Sequence, residues 1–354
     1  MSDRDLRPLL TVLMGAMVVT LALGSRDRAE APERFATYRA PVMATTIQVT
    51  VPAEPDAPEA AGDVFRIFRD VDARMSEWRE TSPLSAVNRA AGRRPVPVPA
   101  DLREVLHRAV EIGDATGGAF DVTWAALWGL WDFRAAEARL PDPAEIGRRV
   151  ALVDYRQLVI DDEAGTVYLP RPGMTLGLGG IAKGHALDVA AEALRERGVA
   201  DFLLVAGGQV MAAGSRSGRP WRVGIRDPRG GPEDFFATLD VRDASVSTSG
   251  DYESYFELDG VRYHHVLDPR TGQPTQELRS VTVVSPRATL ADALSTGLMA
   301  LGAEEARAAI ARLGAEAILV DATGRVLVTP GLRDGYRTLR PPVGADEARA
   351  GAGS

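Results

Sequence analysis

LGLGGIAKGHALD, Leu176 to Asp188, is the stretch on which the reading of this chain turns. It is rich in glycine, carries a single lysine and runs into a helical pattern. Gly177-x-Gly179-x-x-Ala182 formally matches the dinucleotide fingerprint G-x-G-x-x-G/A. That fingerprint needs an acidic residue about 20 positions on, at the end of the next strand, to hold a ribose. Here the next apolar strand, FLLVAGG, ends in Gly207-Gly208 instead. A P-loop fails as well: Gly179 and Gly184 have the spacing, but His185 stands where lysine is required. Two readings stay open. Glycines let a backbone approach a ligand closely, the amides of a helix N-terminus favour an anion, and Lys183 would add charge there. The other reading is a tight strand-to-helix turn with a solvated lysine.

Working outward, the elements alternate irregularly. VMATTIQVTV (42–51) reads as a strand. DVFRIFRDVDARM places Val64, Phe65, Ile67, Phe68, Val71 and Met75 on one helical face. A helix opens at Asp101, with Glu104 completing a capping box, and stops at Gly113. His107 lies off its apolar stripe. Trp124, Trp128 and Trp131 have helical spacing and read as core rather than as a flavin clamp. A helix covers Lys183–Arg197, and strands then dominate: WRVGIR, FATLDVR, SVSTSG, RYHHVLD and SVTVVS. Helices from Thr289 to about Gly302 and from Glu304 to Leu313, the strand AILVD and a hairpin at Thr323-Gly324 close the pattern. This is α+β rather than regular βαβ alternation. Residues 40–335 form the expected compact unit, and 341–354, rich in Ala, Gly and Pro, the expected disordered tail.

The bulk composition narrows the function. The 354 residues are 45% hydrophobic and 25% charged, with a formal net charge of −8 and a pI near 5.2. No Lys/Arg block interrupts this balance, which argues against a nucleic-acid partner. With no cysteine there are no disulfides, thiolate metal sites or Cys nucleophiles. Arg4 and Arg7 precede an apolar run from Leu9 to Gly24, shorter than the roughly 20 residues of a spanning helix. Residues 1–32 therefore read as a signal peptide, or as a membrane anchor, with its linker.

Two further groups could carry chemistry. Asp292, Ser295 and Thr296 in ADALSTG fall on one helical face. Their oxygens suit a hard cation such as Mg²⁺, which keeps waters and shares substrate phosphates. The same residues also fit a Thr289-x-x-Asp292 capping box and a bond from Thr296 back to the Asp292 carbonyl. His264-His265 precede Asp-Pro-Arg-Thr-Gly, a turn signature. One of them could act as a general base. In a strand adjacent side chains face opposite sides, so one alone would face the site.

VMATT, MSEWRETSPLSAVN, TGGAFDVT, GLGGIAKGHALD, VAGGQV, WRVGIRDP, SVSTSGDYE, HHVLDPRTG and TLADALSTGLM, in this order and spacing, resemble the FAD:protein FMN transferase (ApbE-type flavin transferase) family over most of the chain. The resemblance implies an α+β, T-fold-like architecture of mixed or antiparallel sheets covered by helices around a central FAD cleft. It implies a Mg²⁺-dependent enzyme that moves FMN from FAD through a phosphoester to Ser or Thr of an acceptor flavoprotein, such as a subunit of a membrane redox complex, and releases AMP. It further implies export, either to the periplasm or to the outer face of the inner membrane through an N-terminal anchor. By position it puts Met43, Trp78, Ala119, Phe120, Asp121, Lys183 and Leu267 at FAD. The metal positions fall on Gly180, through its carbonyl, and on Asp292, Ser295 and Thr296. His265 becomes the base, with Lys183 assisting. The family commonly has Met-Gly-Thr at Met43-Ala44-Thr45, often Tyr at Trp78, and Asp at Gly177, where a carboxylate contact to FAD would be missing. The alternatives are a Mg²⁺-dependent FAD pyrophosphatase and a non-catalytic FAD-binding protein; a nicotinamide dehydrogenase is the outsider.

Overall fold

The structure is a computed structural model that describes residues 35–135 and 137–345. The signal or anchor reading of 1–32 and most of the expected tail lie outside those residues. An eight-stranded sheet runs through the molecule in the order Phe35–Val42, Thr45–Pro52, Phe202–Ala206, Gln209–Ala213, Ala244–Gly250, Leu278–Ser285, Glu316–Asp321 and Val326–Val328. Each pair of neighbours is antiparallel. Seven helices accompany it among the described residues: α1 Ala57–Met75, α2 Pro83–Arg89, α3 Ala100–Ala115, α4 Pro143–Val150, α5 Ala182–Glu196, α6 Ala288–Leu301 and α7 Ala303–Leu313. Antiparallel sheets with segregated helices make this an α+β fold, as the irregular element pattern suggests.

Phe202 to Ala206 is buried at every position. The reason is that both faces of the main sheet are covered. Phe202, Leu204 and Ala206 join the core beneath the helices, with Val64, Phe68, Leu187 and Leu298. Leu203 and Val205 enter a second core against a three-stranded sheet of Trp221–Arg226, Phe235–Val241 and Tyr336–Thr338. A strand buried on both faces shows an apolar run instead of alternation.

The stretch 42–51, read as one strand, is instead a hairpin. Met43 and Ala44 form its two-residue turn with φ of +52° and +55°. Turns of this kind need positive φ at both central residues, and a non-glycine residue there costs on the order of 1–2 kcal/mol. The side chain of Met43, half-buried against the core, has been kept despite that cost. The tryptophan stretch is likewise no α-helix, but a single 3₁₀ turn at Ala125–Leu127.

Two capping boxes expected from sequence do not form. Asp101 lies inside α3, which starts at Ala100 after Pro99 and runs on to Ala115; its Oδ1 accepts the Leu102 amide at 2.9 Å and its Oδ2 accepts Arg74 Nε at 2.6 Å. At α6 the first amides, Ala288 and Thr289, donate to Asp188 at 2.7 and 2.9 Å, and Thr289 Oγ1 donates to the same carboxylate at 2.6 Å. Asp188 sits on α5, so one helix caps its neighbour. Asp292 is thereby released from capping and turns inward.

Candidate active site

The glycine loop enters α5 beside α6, and a second tie joins these helices besides the Asp188 cap. Gly184 N–H donates to Asp292 Oδ2 at 3.0 Å. A Cβ on Gly184 would lie 2.4 Å from the Ala288 carbonyl oxygen, so only glycine permits this approach. Four residues back, Gly180 lies over Thr296; a Cβ there would stand 3.1 Å from Thr296 Oγ1 and 3.4 Å from the Phe120 ring. Gly180 and the α6 residues Asp292 and Thr296, distant from it in the chain, therefore meet at one place.

Asp292 is 5% exposed. Burial pushes its carboxyl above the usual carboxylate range; Lys183, the Gly184 N–H and Gln209 pull the other way. Hydroxyls surround it. Ser295 Oγ donates to the Asp292 carbonyl at 2.9 Å and lies 3.2 Å from Ser247 Oγ and 2.9 Å from Ser249 Oγ. Thr296 Oγ1 donates to the same carbonyl at 3.3 Å, the back-bond expected for it. Gln209 Nε2 donates to Ser247 Oγ at 3.0 Å, while its Oε1 is buried without a partner. A buried carboxylate without a salt bridge, an orphan carbonyl oxygen and neighbouring hydroxyls fit a hard divalent cation. Thr296 and Asp292 are better placed for it than Ser295, whose hydroxyl is already engaged on several sides. Among the described residues no group of three or more His, Cys, Asp or Glu could hold a metal; such a site here would rest on one carboxylate, hydroxyls, a backbone carbonyl and water.

Lys183 donates from Nζ to the Gly179 carbonyl at 2.9 Å, holding its charge at the head of the loop. Its field reaches Asp292, Glu77, Glu253 and His265 alike. The histidine pair splits where the strand Val261–His264 ends, with His265 following it in a bend. His264 is 2% exposed, with Nε2 2.7 Å from the Thr275 carbonyl oxygen. His265 is open at its edge, its backbone N–H donating to Ser254 O at 3.0 Å. Desolvation by the surrounding protein, then His264, lowers its pKa toward about 4, and its exposure to solvent tempers the effect. At neutral pH the imidazole is uncharged and can accept a proton.

The remaining expected residues divide into surface and scaffold. Trp78 is 75% exposed and stacks on Trp128, with ring centroids 4.2 Å apart at 19°. Trp124 meets Trp128 edge-on at 5.9 Å. Trp131 does pack as core, donating to Gly272 O at 2.8 Å, but Trp128 is the underside of an exposed aromatic platform. Ala119, Phe120 and Asp121 are buried. Asp121 accepts from Thr123 N, Thr123 Oγ1 and Tyr155 N at 2.7, 2.6 and 3.0 Å, so its carboxylate is spent on the turn and only backbone there is free for a ligand. Leu267 is half-buried in the short strand Leu267–Asp268, and Met43 sits in the hairpin turn.

Gly177 has a steric explanation. A Cβ there would fall 2.9 Å from Ala125 Cβ and 3.1 Å from Trp124 Nε1, and Trp124 Nε1 donates to Gly177 O at 3.2 Å. Trp124 fills the space that a side chain at 177 would need. The sequence reading gave no role to Glu77, Gln209, Ser247 or Ser249, which come from three separate segments, and it read Trp128 as core. The alternation in SVSTSG was the one signal that could have flagged the two serines.

The sequence matches the ApbE family over residues 43–319. It is 36% identical over 319 residues to the FAD:protein FMN transferase of Treponema pallidum, covering 84% of this chain and 88% of that one. It is 34% identical over 287 residues to the FAD:protein FMN transferase of Vibrio cholerae, covering 79% and 85%. Among solved structures it resembles the ApbE protein of Thermotoga maritima, with a TM-score of 0.78, 31% identity and coverage of 86% of this chain and 99% of that one. The flavin transferase ApbE of Vibrio cholerae gives 0.75 and 29%, with coverage of 85% and 99%.

Proposed function

Because this chain belongs to the ApbE family, we propose that it transfers FMN from FAD to a Ser or Thr hydroxyl of an acceptor flavoprotein, releasing AMP. The observation that carries the reading is a convergence. Lys183, held on the Gly179 carbonyl at 2.9 Å, neighbours Gly184, whose N–H holds Asp292 of α6 at 3.0 Å, and its charge acts on His265 at the end of a hairpin. In the proposed step the acceptor oxygen attacks the phosphorus of the FMN half. An O–P bond forms, the bond to the AMP phosphate oxygen breaks, and AMP leaves with the electron pair. His265, neutral at physiological pH, accepts the hydroxyl proton. Lys183 faces the phosphoryl oxygens, and Trp78 on Trp128 offers a flat apolar face to a ring of the dinucleotide.

Asp292, Thr296 and the Gly180 carbonyl are the residues that would hold Mg²⁺, which when bound neutralises charge on phosphoryl oxygens. The apolar run at Leu9–Gly24 and its flanking arginines support export, with the acceptor on the outer side of a membrane.

The test mixes the full-length protein with FAD, Mg²⁺ and a candidate acceptor domain and reads the acceptor by mass spectrometry. An FMN-sized gain on Ser or Thr, abolished by EDTA, is expected. FMN and AMP free in solution with every acceptor would replace the reading with a hydrolase. Intact FAD bound stoichiometrically would leave a binding protein.

A further inference from the structure

Glu77 is a carboxylate that the mechanism above does not use. It follows the last turn of α1 in a loop fastened by hydroxyls: Ser82 Oγ donates to Ser76 O at 2.7 Å, and Ser85 Oγ donates to Glu77 O at 3.2 Å. The backbone at Glu77 is thus held while its side chain reaches across the cleft to the glycine loop. Its Oε1 lies 3.7 Å from the point where a Cβ on Gly179 would stand. Gly179, exposed and without a side chain, leaves that carboxylate open to the cleft. Burial pushes its carboxyl above the usual carboxylate range, while its own amide, Lys183 through space and the Leu178 amide favour the ionised form that a bound donor would reinforce. The loop cannot supply a carboxylate at Gly177, because Trp124 and Ala125 occupy the room.

Position gives the carboxylate its purpose. Its chain neighbour Trp78 carries the exposed aromatic face, and the loop it touches carries Lys183. Between an aromatic ring and a phosphate, a dinucleotide presents a polyol or a sugar. Resting on the flavin-transferase reading, we propose that Glu77 is a specificity residue of the dinucleotide site, its carboxylate accepting hydrogen bonds from neighbouring hydroxyls of the bound FAD. A carboxylate has two oxygens and only acceptor capacity when ionised, which matches adjacent hydroxyl donors. Bonds from O–H to an ionised acceptor are among the stronger ones available. The hydroxyls belong to the ribityl chain or to the ribose, and partial ligands tell these apart.

Binding of FAD, FMN and ADP to the full-length protein is measured by calorimetry for the wild type, Glu77→Ala and Glu77→Gln, beside the melting temperature of each free protein. Glu77→Ala is expected to weaken FAD at least about tenfold, and Glu77→Gln less, because its carbonyl still accepts. The melting temperatures should agree within about 2 °C. If the ribityl chain is the partner, FMN weakens with FAD and ADP does not; if the ribose, the reverse. FAD affinity unchanged in Glu77→Ala would overturn the proposal. So would a joint loss of FMN and ADP with a fallen melting temperature, which marks a residue that only props the loop. Failure of the wild type to bind FAD would instead remove the functional reading beneath it.

Discussion

The strand Ala244–Gly250 has two unlike sides. Val246 faces the three-stranded sheet, in an apolar core with Trp221, Phe236 and Val320, whose margin carries the Arg226–Glu253 ion pair at 3.6 Å. The cavity there, near Val223, Phe235 and Thr248, is about 30 Å³, room for about one water. One residue along, Ser247 and Ser249 face α6 and its Ser295, Thr296 and Asp292. Burial on the first side stabilises the fold by removing apolar surface from water. On the second side, a buried carboxylate and an unpaired amide oxygen cost stability, and the site is the reason to bear them. Stability and chemistry are thus separated by the thickness of one strand.

The comparison breaks most severely on the apolar side. Phe236→Ala should remove about 3–5 kcal/mol of stability, read by denaturant titration, while the turnover of the molecules still folded stays at the wild-type level. An equal loss of specific activity would show that the two sides are not independent.

On the polar side, His265→Ala should lower kcat by about 10²- to 10⁴-fold with little change in melting temperature. The pH profile gives a second check. The His265 pKa is depressed from 6.5 to about 4, so the base form persists through neutrality and activity falls only as pH drops toward about 4. Stability has the same sign: the unfolded chain binds the proton more readily, so this group's contribution is present above about 6.5 and is lost as pH falls to about 4. A limb centred near 6.5 in the activity profile would place the base elsewhere.

Asp292→Asn retains an acceptor oxygen but not the charge. It is expected to weaken Mg²⁺ binding at least about 10-fold, seen by calorimetry without FAD. Because burial already disfavours the charged form, the same change should leave the melting temperature level or raise it. A large fall would make Asp292 a structural linchpin rather than a ligand.

The smallest effect belongs to the hairpin. Ala44→Gly at φ +55° should raise stability by up to about 1 kcal/mol, in a thermal melt. No gain would mean that the turn relaxes its strain locally.

Much of the fold was legible along the chain. The apolar stripe of α1, the buried strand at Phe202–Ala206 and the antiparallel, strand-rich second half all follow from periodicity that a single segment carries. The turn at Met43-Ala44 was hidden because neither residue advertises positive φ. The tryptophan spacing suggested a helix although Trp78, from a different segment, stacks on Trp128. The box at Thr289 failed because Asp188, distant in sequence, offered the competing partner, and the one at Asp101 because α3 starts before it, at Ala100.

By itself, the sequence determined the element types, the charge balance, the family and the residue kinds able to meet a phosphate and a cation, since these rest on local pattern and ordered motifs. Only the tertiary structure decided that Asp188 caps α6 and releases Asp292, that His265 rather than His264 stays open, and that Glu77 reaches the glycine loop. Each of those outcomes depends on which distant group arrives first at a donor or a gap, and such competition is settled by packing in three dimensions.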